Sequence, residues 1–238
     1  MKKLTVIQHT SADYLGLIED HLEGRRIGFT YHRPFTEAGI VPQFAAVGDG
    51  LVLLGGGPWG SAGTRDVPSL KEEVALTRAC FMSGLPIIGI GLGAQILALA
   101  TDGSVESAPL EFSVGMAKRT SADALDGCLP ETYPNPVYMR DRPVPPSFAK
   151  ILSTDEQDRP AAFQIGENCF GFTGHPGFKR AMAEDLIMEF EEGASDPAVG
   201  LEKLGTQKNL IADALVPIMT GLIKFTRLME AKNLKTIA

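Results

Sequence analysis

The sequence predicts an α/β fold: a doubly wound, mostly parallel sheet with an antiparallel edge region and a C-terminal helical extension. Three observations carry this prediction. Over the first hundred residues, short continuous apolar runs alternate with segments of helical periodicity, the pattern of parallel strands covered on both faces. From Val105 to about Phe172, short strand candidates follow one another through Pro-rich and polar connections, with no convincing helix. Beyond residue 192 a single apolar stripe at helical spacing dominates.

Leu4 to Gln8 reads as a first buried strand. Ser11 then serves as N-cap for a helix whose Leu15, Ile18 and Leu22 share one face, with Gly24 as its stop. A second strand is predicted near Ile27 to Tyr31. Leu51 to Leu54 is another apolar run; it ends on Gly55, Gly56, Gly57 and Pro58, as a buried parallel strand does when a tight loop must follow. A helix from about Ser69 to Ser83 leads to a strand from Pro86 to Gly89. Alternation resumes at CFGFTGHP, a strand running into a helix from Phe178 to Glu192. In the extension, Ile211, Leu215, Ile218, Leu222, Phe225 and Met229 recur at intervals of 4, 3, 4, 3 and 4, a stripe interrupted only by Pro217. The stripe suits packing on the parent domain or a homodimer seam through residues 210–230. The division falls between a domain of residues 1–192 and an extension of residues 193–238.

Composition narrows the function classes. A chain of 238 residues with 44% hydrophobic content can fill a real core. A formal net charge of −7 argues against nucleic acid as a partner, because neutralising phosphates needs an excess of Lys and Arg. No apolar run approaches the roughly 18 residues of a membrane helix, and the apolar part of MKKLTVIQHT is too short for a signal-peptide core. Three widely spaced cysteines, Cys80, Cys128 and Cys169, suit a reducing compartment, so a cytoplasmic location is expected. His9, His21 and His32 have no metal-ligand spacing and read as surface or loop residues.

The most informative stretch is PIIGIGLGAQ, from Pro86 to Gln95. Gly89-Ile90-Gly91-Leu92-Gly93-Ala94 fits the dinucleotide fingerprint G-x-G-x-x-G/A and lies between a strand and a helix. Glu111 follows at the right distance, but not at the end of a clear second strand where a ribose-binding acid belongs. Glycines needed only for a tight turn explain the same pattern. The geometry is equally that of a nucleophile elbow, in which a strained turn residue projects its side chain over the sheet. The helix start behind it lowers the pKa of a thiol placed there and offers amide donors to an oxyanion.

PIIGIGLGAQILALA resembles the elbow of the class I, or triad, glutamine amidotransferases, whose usual form is G-I-C-L-G-x-Q. Leu53-Leu54-Gly55-Gly56-Gly57-Pro58 resembles that family's oxyanion strand, Thr101 to Val105 its connection after the elbow helix, and GFTGHP its G-x-Q-F-H-P-E. The likeness runs from residue 4 to about 190 and is nearest to stand-alone members related to the glutaminase domain of GMP synthase. It implies a flavodoxin-like fold and no metal or other cofactor. In that chemistry a cysteine thiolate attacks the glutamine carboxamide, a histidine acts as base and then acid, and a glutamate orients the histidine.

Carried over by position, the nucleophile falls on Gly91, the base on His175 and the orienting acid on Gly177, so two of three side chains are missing. The resemblance also implies an oxyanion pocket from the loop of Gly56 and Gly57 and the amide of Leu92, with Gln95 helping to hold the substrate. The substrate-recognition stretch is matched by Tyr138 to Arg142, which keeps an acid, Asp141, and replaces the usual histidine. Trp59 either covers this pocket or packs beside it. The expected function is a domain of this family without thiol-dependent glutaminase activity, binding glutamine or a related small molecule, or acting on a synthase partner. One alternative is an active amide hydrolase or amidotransferase in which His175 is the base for another nucleophile, one borne by the substrate or by a partner; Cys169 and Cys80 read as buried, inert thiols. A second is a nucleotide-binding domain using the turn from Gly89 to Gly93.

Overall fold

A computed structural model describes residues 1–230 of the chain. Strands β1 (Lys3–Ile7), β2 (Gly28–His32), β3 (Gly50–Leu53) and β4 (Ile87–Ile90) alternate with helices α1 (Ile18–Gly24), α2 (Leu70–Met82) and α3 (Leu92–Ala100). Seven strands follow without a helix between them: β5 (Ser104–Glu106), β6 (Glu111–Arg119), β7 (Thr132–Met139), β8 (Arg142–Val144), β9 (Lys150–Thr154), β10 (Pro160–Ile165) and β11 (Cys169–Phe172). Helices α4 (Arg180–Glu189) and α5 (Pro197–Thr226) end the described chain.

The main sheet has the order β2-β1-β3-β4-β11-β10-β9-β6-β7, and β5 pairs with β8 in a separate two-stranded sheet. Strands β2, β1, β3, β4 and β11 are parallel; β10, β9, β6 and β7 continue the sheet antiparallel. The fold is thus the mostly parallel α/β sheet with an antiparallel side that the alternation predicts. Successive strand residues face opposite cores, as the pleat requires. Val6 joins α1 and α5 residues on one face, while Ile7 joins α2 and α3 residues on the other. A third cluster seats α4 and the start of α5 on β6 and β7 through Phe112, Tyr138, Met182, Leu186 and Leu204.

Several boundaries differ from expectation, each for a visible reason. The first helix starts at Ile18 rather than after Ser11, because Gly16 takes a left-handed φ of 62° and the N–H of Leu17 donates to the Gly177 carbonyl at 2.9 Å. Ser11 is no cap: its N–H, with that of Ala12, donates to the Glu189 carboxylate at 3.2 and 3.1 Å. The segment read as short strands holds two long ones, β6 and β7. β7 carries Pro134 and Pro136 and occupies the sheet edge, where a missing N–H is tolerated. The fourth helix is shorter at both ends than Phe178 to Glu192.

Most of the C-terminal stripe is covered within the chain. Ile211, Leu215, Ile218 and Leu222 are all buried, the last three in the same core as Val6, Leu22 and Phe170. α5 runs unbroken through Pro217 and ends where Arg227 adopts a left-handed φ of 52°, so Met229 lies beyond the helix and is exposed. Four of the six stripe residues therefore pack on the rest of the chain, while Phe225 is half-buried and Met229 exposed. By length and composition α5 is long and apolar enough to cross a membrane, although Asp213, Pro217, Thr220 and Lys224 keep any continuous apolar run in it short. Its most apolar face is the one that rests on the sheet.

Candidate functional site

The elbow lies where the two central parallel strands end. β4 and β11 pair with Ile90 opposite Phe172, and the N–H of Gly91 donates to the Phe172 carbonyl at 2.8 Å. Gly91 has φ 57° and ψ −115°, a conformation that non-glycine residues adopt only at a cost of about 1–3 kcal/mol. Helix α3 begins at the next residue. A side chain grown on Gly91 would have within 4 Å only the Cα of Gly55, at 3.3 Å. The turn has kept the shape and the space of an elbow and has no reactive group.

The flanking glycines are packing elements. A Cβ on Gly89 would run into the backbone of Gly93, and one on Gly93 into the backbone of Leu53. Their absent side chains let β3, β4 and α3 approach closely.

His175 follows β11 and is buried. Its Nε2 donates to the Tyr14 carbonyl at 2.8 Å, and its Nδ1 accepts the N–H of Gly177 at 3.1 Å. That pairing requires the neutral Nε2–H tautomer, and burial lowers its pKa to about 4. Both ring nitrogens are therefore committed to backbone. At Gly177 a Cβ would sit 3.0 Å from the Ile18 nitrogen and 3.2 Å from the Leu17 nitrogen. The chain leading into α1 occupies the place an acidic side chain would enter.

The glycine loop after β3 is covered as well. Gly57 has φ 55°, and a Cβ there would meet Phe190 at 3.0 Å and Leu186 at 3.3 Å. Gly56 packs under the side chain of Leu92, whose amide opens α3. Among the described residues, the amides of Gly57 and Leu92 have no acceptor, which leaves both donors to an oxyanion or to water. Gln95 is buried; its Oε1 accepts from Ser61 Oγ and its Nε2 donates to the Arg140 carbonyl, both at 2.6 Å. Asp141 accepts the N–H groups of Ser61, Ala62 and Ala108 at 2.9, 3.1 and 3.1 Å. Both residues tie loops together around the elbow. Trp59 packs into the core beside α2 and α3 with the Arg65 guanidinium 5.1 Å above its ring, and Arg65 and Arg140 share Glu192.

A second polar cluster went unread in the sequence. His9 lies in the loop after β1, one of the two places expected, but is buried there: its Nδ1 donates to the Gly55 carbonyl at 3.0 Å, and its Nε2 pairs with Glu73 Oε2 at 2.7 Å. Glu73, also buried, accepts from Ser69 Oγ at 2.6 Å. Although burial opposes it, this pairing raises the His9 pKa. Asp13 lies against Gly55, where a Cβ would stand, and its Oδ1 has no hydrogen-bond partner among the described residues. Burial pushes its pKa up to about 7. No local spacing signals this cluster, because His9 is 46 residues from Gly55 and 64 from Glu73.

A parallel sheet with a strained turn between its central strand and the following helix, beside a glycine loop with free amides, is the framework of an amidotransferase-type elbow domain. The chain belongs to the class-I glutamine amidotransferase family, whose model matches residues 13–188. Curated relatives include a glutamine-hydrolysing GMP synthase of Cytophaga hutchinsonii, 27% identical over 198 residues, which are 80% of this chain and 36% of the relative. A second, from Leifsonia xyli, is 27% identical over 175 residues, 70% of this chain and 33% of its own. The chain thus spans about a third of the length of these relatives. Among solved structures, a glutamine amidotransferase of Methylobacillus flagellatus superposes with a TM-score of 0.79 at 22% identity, over 94% of this chain and 95% of the other. One from Thermotoga maritima gives 0.76 at 22% identity over 97% and 99%.

Proposed function

We propose that this chain is a class-I amidotransferase-type domain that does not hydrolyse glutamine by the thiol route and serves as a binding or regulatory domain, with a synthase-type polypeptide as its partner. The observation that carries the reading is glycine at position 91 of an otherwise intact elbow. Acyl transfer by this family's route needs a thiolate at the turn, and a hydrogen atom stands there instead. The surroundings support the same reading. The histidine that would deprotonate a thiol has both nitrogens bound to backbone, and the acid that would orient it is a glycine walled in by Leu17 and Ile18.

The other thiols are poor substitutes. Burial pushes Cys80 up to about 11 and Cys169 up to about 12, so at neutral pH each is overwhelmingly the unreactive thiol. Cys169 pairs with Ile87, four residues before the elbow, which puts it roughly 13 Å down the sheet from Gly91 at the usual rise per residue. The partner reading rests on the relatives, which carry this region as about a third of a longer glutamine-hydrolysing synthase.

The experiment is covalent trapping. The folded protein is incubated with a chloroketone analogue of glutamine and its intact mass is measured. The reading predicts an unmodified mass. A stoichiometric adduct formed faster than with a chloroketone lacking the amino-acid head, and mapped to Cys80, Cys128 or Cys169, would reveal an unforeseen nucleophile and overturn it.

A further inference from the structure

The strand order steps from β1 to β2 on one side and from β1 to β3 on the other, so β1 and β3 flank the topological switch point of the parallel sheet. In open α/β sheets the crevice beyond the carboxyl ends of such strands is the general place for a ligand. A cavity of about 600 Å3 occupies that place here. Its walls come from the three segments that leave β1, β2 and β3: His9, the stretch from Pro34 to Val41, and the stretch from Trp59 to Ser69 with Glu72. It is separate from the elbow turn, which ends β4, and adjoins the glycine loop through the bond from His9 to the Gly55 carbonyl and through Trp59, whose N–H donates to the Gly56 carbonyl at 3.0 Å.

The lining selects a kind of ligand. Trp59 and Val67 offer apolar surface, and Phe35 and Ile40 face the cavity while 45% and 73% exposed, apolar area that stays wet until something covers it. The volume lies in the range of small-molecule sites. The charge is one-sided. Glu72 is the carboxylate of the wall and no Lys or Arg is among the lining residues; the Arg65 guanidinium stacked on Trp59 is paired with Glu192, and the His9 and Glu73 pair beneath is satisfied internally by Gly55 and Ser69. The start of α2, which would otherwise attract an anion, already carries Glu72 and Glu73 in its first turn. We propose that this cavity binds a small organic cation with an aromatic or flat apolar body, the body lying against Trp59, Phe35 and Ile40 and the cationic head meeting Glu72.

Trp59 is the only tryptophan of the chain, so its fluorescence reports the cavity directly. The test is a titration of the full chain with benzamidine, benzyl alcohol and benzoate, three probes of similar ring and different charge. The expected result is saturable change with benzamidine at the lowest concentration, weakened at least about threefold by Glu72→Gln, as a partly exposed ion pair warrants. Phe35→Ala with Ile40→Ala should weaken benzamidine and benzyl alcohol alike. Glu72 is exposed, so the Gln variant is expected to fold, and circular dichroism checks it. Equal affinity for benzamidine and benzyl alcohol, tighter binding of benzoate, or no saturable change with any probe would each overturn the proposal. None of these residues belongs to the elbow, so the outcome is independent of the glutaminase reading.

Discussion

Glycine at position 91 decides what the elbow can do, because the turn conformation persists whether or not a nucleophile sits on it. A Cβ at this position touches only Gly55, so Gly91→Cys should fold at a cost of about 1–3 kcal/mol of backbone strain. Gly177 is different. Its would-be Cβ meets two backbone nitrogens at 3.0 and 3.2 Å, so Gly177→Glu has to displace the entry to α1. Chemical denaturation should show the larger loss for Gly177→Glu, and equal losses would count against the crowding described there. The two glycine positions therefore differ: the first has room for a side chain, and the second is closed by packing.

Asp13 carries the clearest pH signature. Its folded pKa of about 7 lies above the ordinary carboxylate value, so between about 4 and 7 the folded protein holds a proton that the unfolded chain has released. Its contribution to stability falls as pH rises through that window. His175, held neutral with a pKa near 4, acts in the opposite sense: the unfolded chain gains a proton below about 6.5, and stability falls as pH drops from there towards 4. Asp13→Asn removes the first effect alone. Its unfolding free energy relative to the parent, from chemical denaturation, should rise with pH between 4 and 8, by an amount on the order of 1 kcal/mol or more at the top of the range. A difference constant with pH would mean that Asp13 is ionised in the fold. None of this was legible from local sequence, because the partners of His9 and the neighbours of Asp13 arrive from other strands and helices.

At the scale of elements, the parallel half was readable because β1, β3 and β4 are unbroken apolar runs ended by glycine or a helix start. β7 was not, because Pro134 and Pro136 suggest a connection unless the strand is known to be an edge. For α5, the spacing of the stripe told that one face would be covered, but not by what. Leu215 is fully buried against the core shared with β1, so Leu215→Ala should cost about 2–5 kcal/mol with no change of mass in light scattering. A loss of mass together with the loss of stability would put Leu215 in a seam between copies instead.

At the scale of the molecule, the sheet brings three loop ends together on one edge: the elbow after β4, the histidine after β11, and the glycine loop after β3. Order and spacing of these motifs made the family framework legible in the sequence. What the motifs could not tell is that the framework is closed over, with Phe190 and Leu186 on Gly57, the His175 ring held between Tyr14 and Gly177, and Gln95 bound to its neighbouring loops. These closures depend on α4 and on the segment before α1, whose approach no single motif encodes. They fit the proposal made above, in which the family scaffold is present and thiol-dependent glutamine hydrolysis is absent. The most direct measurement is glutamate release from glutamine by the purified parent chain, followed over hours at neutral pH against a protein-free control. The account predicts release equal to the control, unchanged by Gly91→Ala. Release above the control that scales with protein concentration would contradict it.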